Sequence, residues 1–322
     1  MKKLFTLFSL TVIIHGTSFS SEKDNNNFFG VPEGAPFKLI HEACSKMQMR
    51  DLSPEEKEAM KKAYTMELKK RGFDEYGLTP LTHAIIKEKE KKKIKVEELL
   101  ANGASVNAGN FLDFTPLHYA AAEGDIEMIN ILSKYKPNVN AQEANGQTPL
   151  HKAKDGKTVK CLLSLGAAII KDNDLKTPLH RKILCKNMYN TFDAIEELIA
   201  SGKENLDAIS ELDSPLGIAI GVNDLEVMKM LIKAGANVNK RGKDLTPLRK
   251  AVSLKRIAMV QYLLSNGANV NDGIVKGTTP LHLAVKSKNK ELCQLLCNAG
   301  ADTTIKDEES RTPFDLALEH WQ

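Results

Sequence analysis

Between Ser214 and Asn239 the apolar residues fall in two bursts. A short one runs from Pro215 to Gly221, and a second carries Leu225, Val227, Met228, Met230, Leu231 and Ile232 at the spacing of one helical face. The pattern predicts two short helices, each with one apolar stripe and a polar back. Ser214 stands where a side-chain oxygen accepts from the free N–H groups of a first turn, and Pro215 follows at the position where a missing N–H loses no bond. The second helix stops at Gly235, a residue that takes the left-handed conformation closing a helix, and Ala236, Asn237, Val238 and Asn239 lead outward. Stops of the same kind stand at Gly103, Gly166, Gly202, Gly267 and Gly300.

The start of the pattern recurs as well. Thr-Pro-Leu-His or a near variant begins at Thr79, Thr115, Thr148, Thr177, Ser214, Thr246, Thr279 and Thr312, at intervals of 36, 33, 29, 37, 32, 33 and 33 residues. Between each stop and the next cap lies a short polar finger, as in Asp74-Glu75-Tyr76-Gly77-Leu78-Thr79 and Glu143-Ala144-Asn145-Gly146-Gln147-Thr148. A two-helix unit of this size cannot bury its stripes alone, so neighbouring units must stack and share one core. The internal period therefore overrides the length of 322 residues, which by itself suggests about two globular domains.

A period centred on 33 with this tetrapeptide resembles the ankyrin repeat, over residues 74–322. The resemblance implies an all-α fold, a solenoid of about eight helix-turn-helix units with β-hairpin fingers, the last unit incomplete. Unit one carries three extra residues inside Lys87–Lys93, unit four carries four, and unit three is three short. In unit two, Lys136 and Pro137 replace the usual Gly-Ala stop. His118, His151, His180 and His282 fill the fourth place of the tetrapeptide, where the resemblance implies a structural bond to the capping Thr and to backbone near the same finger.

The ends carry other signals. Met1-Lys2-Lys3, an apolar run from Leu4 to Ile14, and Ser18 and Ser20 at small-residue spacing predict a secretory signal peptide over residues 1–20. The run is too short to span a bilayer, which needs about 20 apolar residues, and no membrane insertion is expected after cleavage. Residues 21–36, rich in Asn, Gly and Pro, read as a flexible linker. Residues 37–73 read as a helical N-terminal cap or a degenerate repeat, with Ser53-Pro54-Glu55-Glu56 as a helix start. The formal charge of +4 falls to about +2 when Lys2 and Lys3 are removed, which excludes a strong general attraction to nucleic acid. The Lys-rich stretch from Lys87 to Lys95 reads as a solvated helix end.

Catalytic chemistry has no foothold in the motifs. There is no Cys–His pair, no Gly-x-Ser-x-Gly, no phosphate-binding Gly loop and no His-Glu-x-x-His, so no enzyme activity, cofactor or metal is expected. Cys161, Cys293 and Cys297 fall on apolar positions of second helices and read as core-filling free thiols, while Cys44 and Cys185 lie in different units. The family resemblance implies partner binding through the finger tips and the exposed face of the first helices. Carried onto this chain, that surface is Tyr76, Phe111, Leu112, Phe114, Asn145, Leu175, Val275 and Lys276, with aromatic residues gathered at the first fingers. The expectation is an exported, non-catalytic scaffold, monomeric alone, that binds a protein partner. Two settings fit it: an effector acting on a host, or a periplasmic protein supporting an envelope enzyme.

Overall fold

The computed structural model describes residues 78–87, 92–110, 112–185, 191–242, 245–272 and 277–320, together with Met66 and Gly72. The segments read as a signal peptide (1–20), a linker (21–36) and, apart from Met66 and Gly72, an N-terminal cap (37–73) therefore lie outside the described residues. Seven helix pairs and one further helix follow the tetrapeptide period. They are α1 (Pro80–Lys87) and α2 (Lys92–Ala101), α3 (Pro116–Glu123) and α4 (Ile126–Ser133), α5 (Pro149–Lys152) and α6 (Gly156–Ser164), α7 (Pro178–Cys185) and α8 (Phe192–Ala200). Then come α9 (Pro215–Gly221) and α10 (Leu225–Lys233), α11 (Pro247–Ser253) and α12 (Ile257–Ser265), α13 (Pro280–Lys286) and α14 (Lys290–Asn298), and α15 (Pro313–His320). Among the described residues there is no strand.

Packing divides the chain into two compact bodies: Met1–Ala120 with Glu127–Ala144, and Ala121–Ile126 with Asn145–Gln322. In the first, α1 packs on α2. In the second, the first helices α5, α7, α9, α11, α13 and α15 pack in succession, and α6, α8, α10, α12 and α14 form a second layer. The core lies between the layers: Val227, Met228 and Leu231 of α10 and Leu216 of α9 are all but fully buried. Each such side chain gains about 1.5–3 kcal/mol from leaving water, which supplies the stability that helices of this length lack by themselves.

Capping follows the local sequence. Ser214 accepts from Gly217 N at 3.1 Å, and Asp155, Asp224 and Asn289 cap α6, α10 and α14 through Thr158, Val227 and Leu292 N. Past each second helix the chain turns left-handed, with Gly235 at φ 98°, and in unit two Lys136 takes that place at φ 53°. Asn and Asp side chains then tie unit to unit. Asn237 N donates to Asp207 Oδ1 (2.9 Å), Asn269 N to Asn239 Oδ1 (2.8 Å), and Asp302 N to Asn271 Oδ1 (2.7 Å).

The length anomalies fall where the period places them. Unit three loses its residues from the first helix, since α5 has four residues where α9 has seven. Unit four gains residues between α7 and Thr191, and one more before Asn205, where Lys203-Glu204 replaces the single Ala236 of unit five. Unit four also places Lys182 where Ala84, Ala120, Ala153, Ala219, Ala251 and Ala284 stand elsewhere, all buried. Lys182 is itself only 6% exposed.

The core reading of the cysteines is corrected. Cys161 and Cys293 are half-buried and Cys297 is exposed, and none of the three is in a disulfide. Cys293 matches Val159, Met228 and Val260, which are fully buried, but no described second helix packs on the outer side of α14. Partial burial still pushes the Cys293 thiol up to about 11, with Cys297 beside it adding to the effect, so it stays protonated at neutral pH.

Candidate partner-binding surface

Four of the described fingers are tight turns closed by one polar side chain, while the finger before Thr246 has Gly242 at that place and closes through backbone alone. In unit four, Asp172 N donates to Lys176 O (2.9 Å), while Asp172 Oδ1 accepts from Asp174 N and Lys176 N, both at 3.0 Å. Asn110 and Asp307 repeat the arrangement, and Ser210 does so with its hydroxyl. These bonds account for the missing strands. One residue closes the hairpin from inside, and a single backbone bond joins a finger to the next, so no ladder forms. The links are Ala144 N to Leu112 O (2.9 Å), Asn173 N to Asn145 O (3.0 Å) and Glu211 N to Asp174 O (3.3 Å).

Charge pairs brace the fingers against the first helices. Arg181 of α7 holds Asp172 (2.5 Å) and Asp174 (2.7 Å), and Lys176 adds a second cation to Asp174 (2.8 Å). The Lys176 bond, helped by Arg181, lowers the Asp174 carboxyl from its ordinary range. Lys250 of α11 reaches Asp213 at 2.6 Å. At the last finger burial raises the Asp307 carboxyl, but the bonds from Arg311 outweigh it and hold it at about 2. In the Lys-rich stretch, Lys93 pairs with Glu127 and Lys95 with Glu98, as a solvated surface would.

The tetrapeptide histidines are structural, with a longer reach than expected. Thr148 N donates to His151 Nδ1 (3.0 Å), so the ring proton sits on Nε2 and donates to Lys176 O of the next unit at 3.1 Å. His180 and His282 likewise reach Ala208 O and Arg311 O, at 3.1 Å each. The ring thus crosses to the following unit, whereas the sequence reading kept it beside its own finger. Burial holds His151 and His180 neutral, at about 4.

Of the residues expected to meet a partner, Tyr76, Phe111, Val275 and Lys276 lie outside the described residues. Leu112 is half-buried and Asn145 is exposed at its tip. Phe114 turns inward: its ring lies 5.5 Å from His118 and 5.7 Å from Tyr119, so it packs on its own unit's first helix. Leu175 was read as a tip but sits one place later, where other fingers carry Gly146 or Gly277. Its φ is 58° and it is 51% exposed. Asp113 and Ser310 share that left-handed position, but short polar residues tolerate it far better than Leu. The fifth finger is one residue short, with four steps from Ser210 to the cap Ser214 where the fourth has five from Asp172 to Thr177. Ser210 is its buried base and Leu212, missed from sequence, is the exposed tip at 54%. The Glu211–Asp174 backbone bond sets Leu175 and Leu212 on adjoining fingers.

Comparison with known proteins now bears on this arrangement. Models of ankyrin repeats match residues 182–274 and 216–307 in a three-copy form and 99–153 in a many-copy form. The chain is an ankyrin-repeat protein. Rabankyrin-5 of Mus musculus is 34% identical over 170 residues, covering 49% of this chain and 14% of that protein, so the match spans a small part of the relative's length. The crystal structure of the ankyrin repeat domain of Bcl-3 superposes with a TM-score of 0.58 at 27% identity, covering 63% of this chain and 93% of that one. An ankyrin repeat domain from Acinetobacter baumannii AYE gives 0.52 at 28% identity, covering 58% and 98%. The all-helical ankyrin class read from the sequence is thus shown by the helix pairs described above and by these neighbours. Among the described residues no helix is long and apolar enough to cross a membrane, and no cluster of three His, Cys, Asp or Glu could hold a metal.

Proposed function

We propose that this ankyrin-repeat protein is a non-catalytic scaffold that holds a protein partner on its fingers, with Leu175 and Leu212 as apolar anchors of the contact. The observation that carries this reading is the cost of Leu175. A bulky side chain in the left-handed region costs about 1–2 kcal/mol, and with 51% of Leu175 exposed, burial offsets only part of that cost. Leu175→Gly should therefore raise stability by about 1 kcal/mol in urea unfolding, offset in part by the larger entropy of an unfolded glycine. Combined with Leu212→Ser it should weaken the partner roughly tenfold or more, since each Leu, about half exposed when free, has about 0.8–1.5 kcal/mol of burial to lose. Cross-linking in the cells of origin, followed by identification of what co-purifies, supplies the partner for that measurement. A double variant that recovers the same partner as strongly as wild type would move the contact elsewhere.

Export is part of the proposal. The Lys pair, apolar run and Ser18/Ser20 spacing support removal of residues 1–20, and a Lys- and Asn-heavy composition supports a bacterial source. Mass spectrometry of material outside the cytoplasm should find an N-terminus near Ser21, and an intact Met1 there would refute cleavage. The location of that material separates an effector delivered to a host from a periplasmic partner of an envelope enzyme.

A further inference from the structure

We infer that the edge formed by the helix-to-helix turns of units six and seven is a second docking surface, which takes an acidic polypeptide segment in extended form. Each first helix runs from its finger base to this turn, so the edge lies at the opposite end of α11 and α13 from the fingers. The two turns are built alike. Lys255 N donates to Val252 O and Lys288 N to Val285 O, both at 2.9 Å, with φ values of 56° and 53°. Because α11 packs on α13 and α12 on α14, the turns stand side by side, about 10 Å apart as packed helices are.

The charge on this edge is one-sided. Lys255, Lys286 and Lys288 are exposed and Arg256 is half-buried, against Glu291 in the first turns of α12 and α14 and Glu319 at the end of the neighbouring α15. Units three and five place Asp155 and Asp224 at the position of Arg256, where they cap the second helix. Unit six has no side-chain cap, and unit seven has the neutral Asn289. Cations at the positive end of a helix oppose its dipole, so the exchange of acid for base works against folding. Arg256 Nε is moreover buried without an acceptor.

Arg256 is thus an exchange that the fold does not favour, and together with the lysines at the ends of α11 and α13 it raises a positive field over one edge that selects an anionic partner. The spacing narrows it further. About 10 Å is three residues of extended chain at ~3.3 Å each, so carboxylates three residues apart meet both turns. Leu254, 40% exposed beside Lys255, offers an apolar contact at the first of the two turns. Neither turn nor its flanks, residues 252–258 and 285–292, carries an aromatic ring, so the stacking that single-stranded nucleic acid uses has no platform here.

The test is fluorescence anisotropy of the mature protein with a fluorescein-labelled poly-glutamate peptide. Saturable binding is expected at low salt, weakening about tenfold or more at physiological salt because the charges are exposed. Lys255→Glu with Lys288→Glu should weaken binding by a similar factor, while Lys255→Arg with Lys288→Arg keeps it. The Glu double variant should melt no lower than wild type, which separates lost binding from lost folding. The finger variant Leu175→Gly/Leu212→Ser should bind the peptide as wild type does, so this surface and the finger reading fail independently. No binding at low salt, equal binding by the charge-reversed variant, or tighter binding of oligo-thymidine or phosphatidylserine vesicles would overturn the proposal.

Discussion

Replacing Lys182 with Met should raise the unfolding free energy by about 3 kcal/mol at pH 7. Burial pushes the Lys182 ammonium from the ordinary 10.5 down to about 8. Cys185 and Asp155 raise it and Lys152 lowers it further, yet none removes the cost of leaving water. The displacement corresponds to about 3 kcal/mol of preference for the neutral amine. The folded state binds the proton less tightly, so the cost is full below pH 8 and vanishes as pH climbs past 10.5. Stability of the native chain from this group therefore rises with pH across that window. Met matches the stem of Lys in length, suits a helix and asks for no partner. Urea unfolding at pH 7 and near pH 10.5 should show a gap in favour of Met that closes at the higher pH. A Met variant less stable than wild type at pH 7 would mean that the amine makes a bond worth more than its desolvation.

The sequence showed the units but not their strains. Helix boundaries followed from Pro at the start of each first helix and Gly past most second helices: the expected Pro215–Gly221 and a second helix opening at Leu225 are what the structure contains. Lys182 carried no signal in the sequence, because helical spacing alone does not distinguish a groove from a ridge. Only its register against Ala84, Ala219 and their counterparts marks the position as one with room for a methyl group. The finger register failed for a related reason. Leu175 and Leu212 sit in turns whose closure depends on Asp172 and Ser210, and residue counting sees neither φ nor an internal hydrogen bond. Phe114 looked like a tip aromatic until its stack on His118 and Tyr119 gave it a packing role. Charge at the helix-to-helix turns was legible all along, but its meaning required knowing that Arg256 stands where Asp155 and Asp224 cap.

Glu204 should make the fourth unit less stable as pH rises, and Glu204→Gln should abolish that slope. Its Oε1 accepts from Leu179 N at 3.1 Å at the start of α7, while Oε2 is buried without a partner. Two effects compete for the proton. The N-terminus of α7 and the bonds from Thr177 and Leu179 favour the carboxylate, by about 0.3–2 kcal/mol for the helix end. Burial of an ion with one unpaired oxygen costs several kcal/mol and outweighs them, so the carboxyl is raised from 4.5 to about 7. Here the folded state binds the proton more tightly. The contribution to stability is complete below pH 4.5 and is lost as pH rises through 7, about 3 kcal/mol in all. His151 and His180 run the other way: with folded values of about 4 against 6.5, they stabilise above pH 6.5 and lose that contribution as pH falls towards 4. In the native chain the opposing slopes partly cancel. Subtracting the urea stability of Glu204→Gln from that of wild type removes the histidines, because Gln retains the Oε1 acceptor and does not titrate. The difference should shift by about 3 kcal/mol in favour of Gln between pH 4.5 and 8. A flat difference would show that the start of α7 holds Glu204 as a carboxylate throughout and that the helix end outweighs burial.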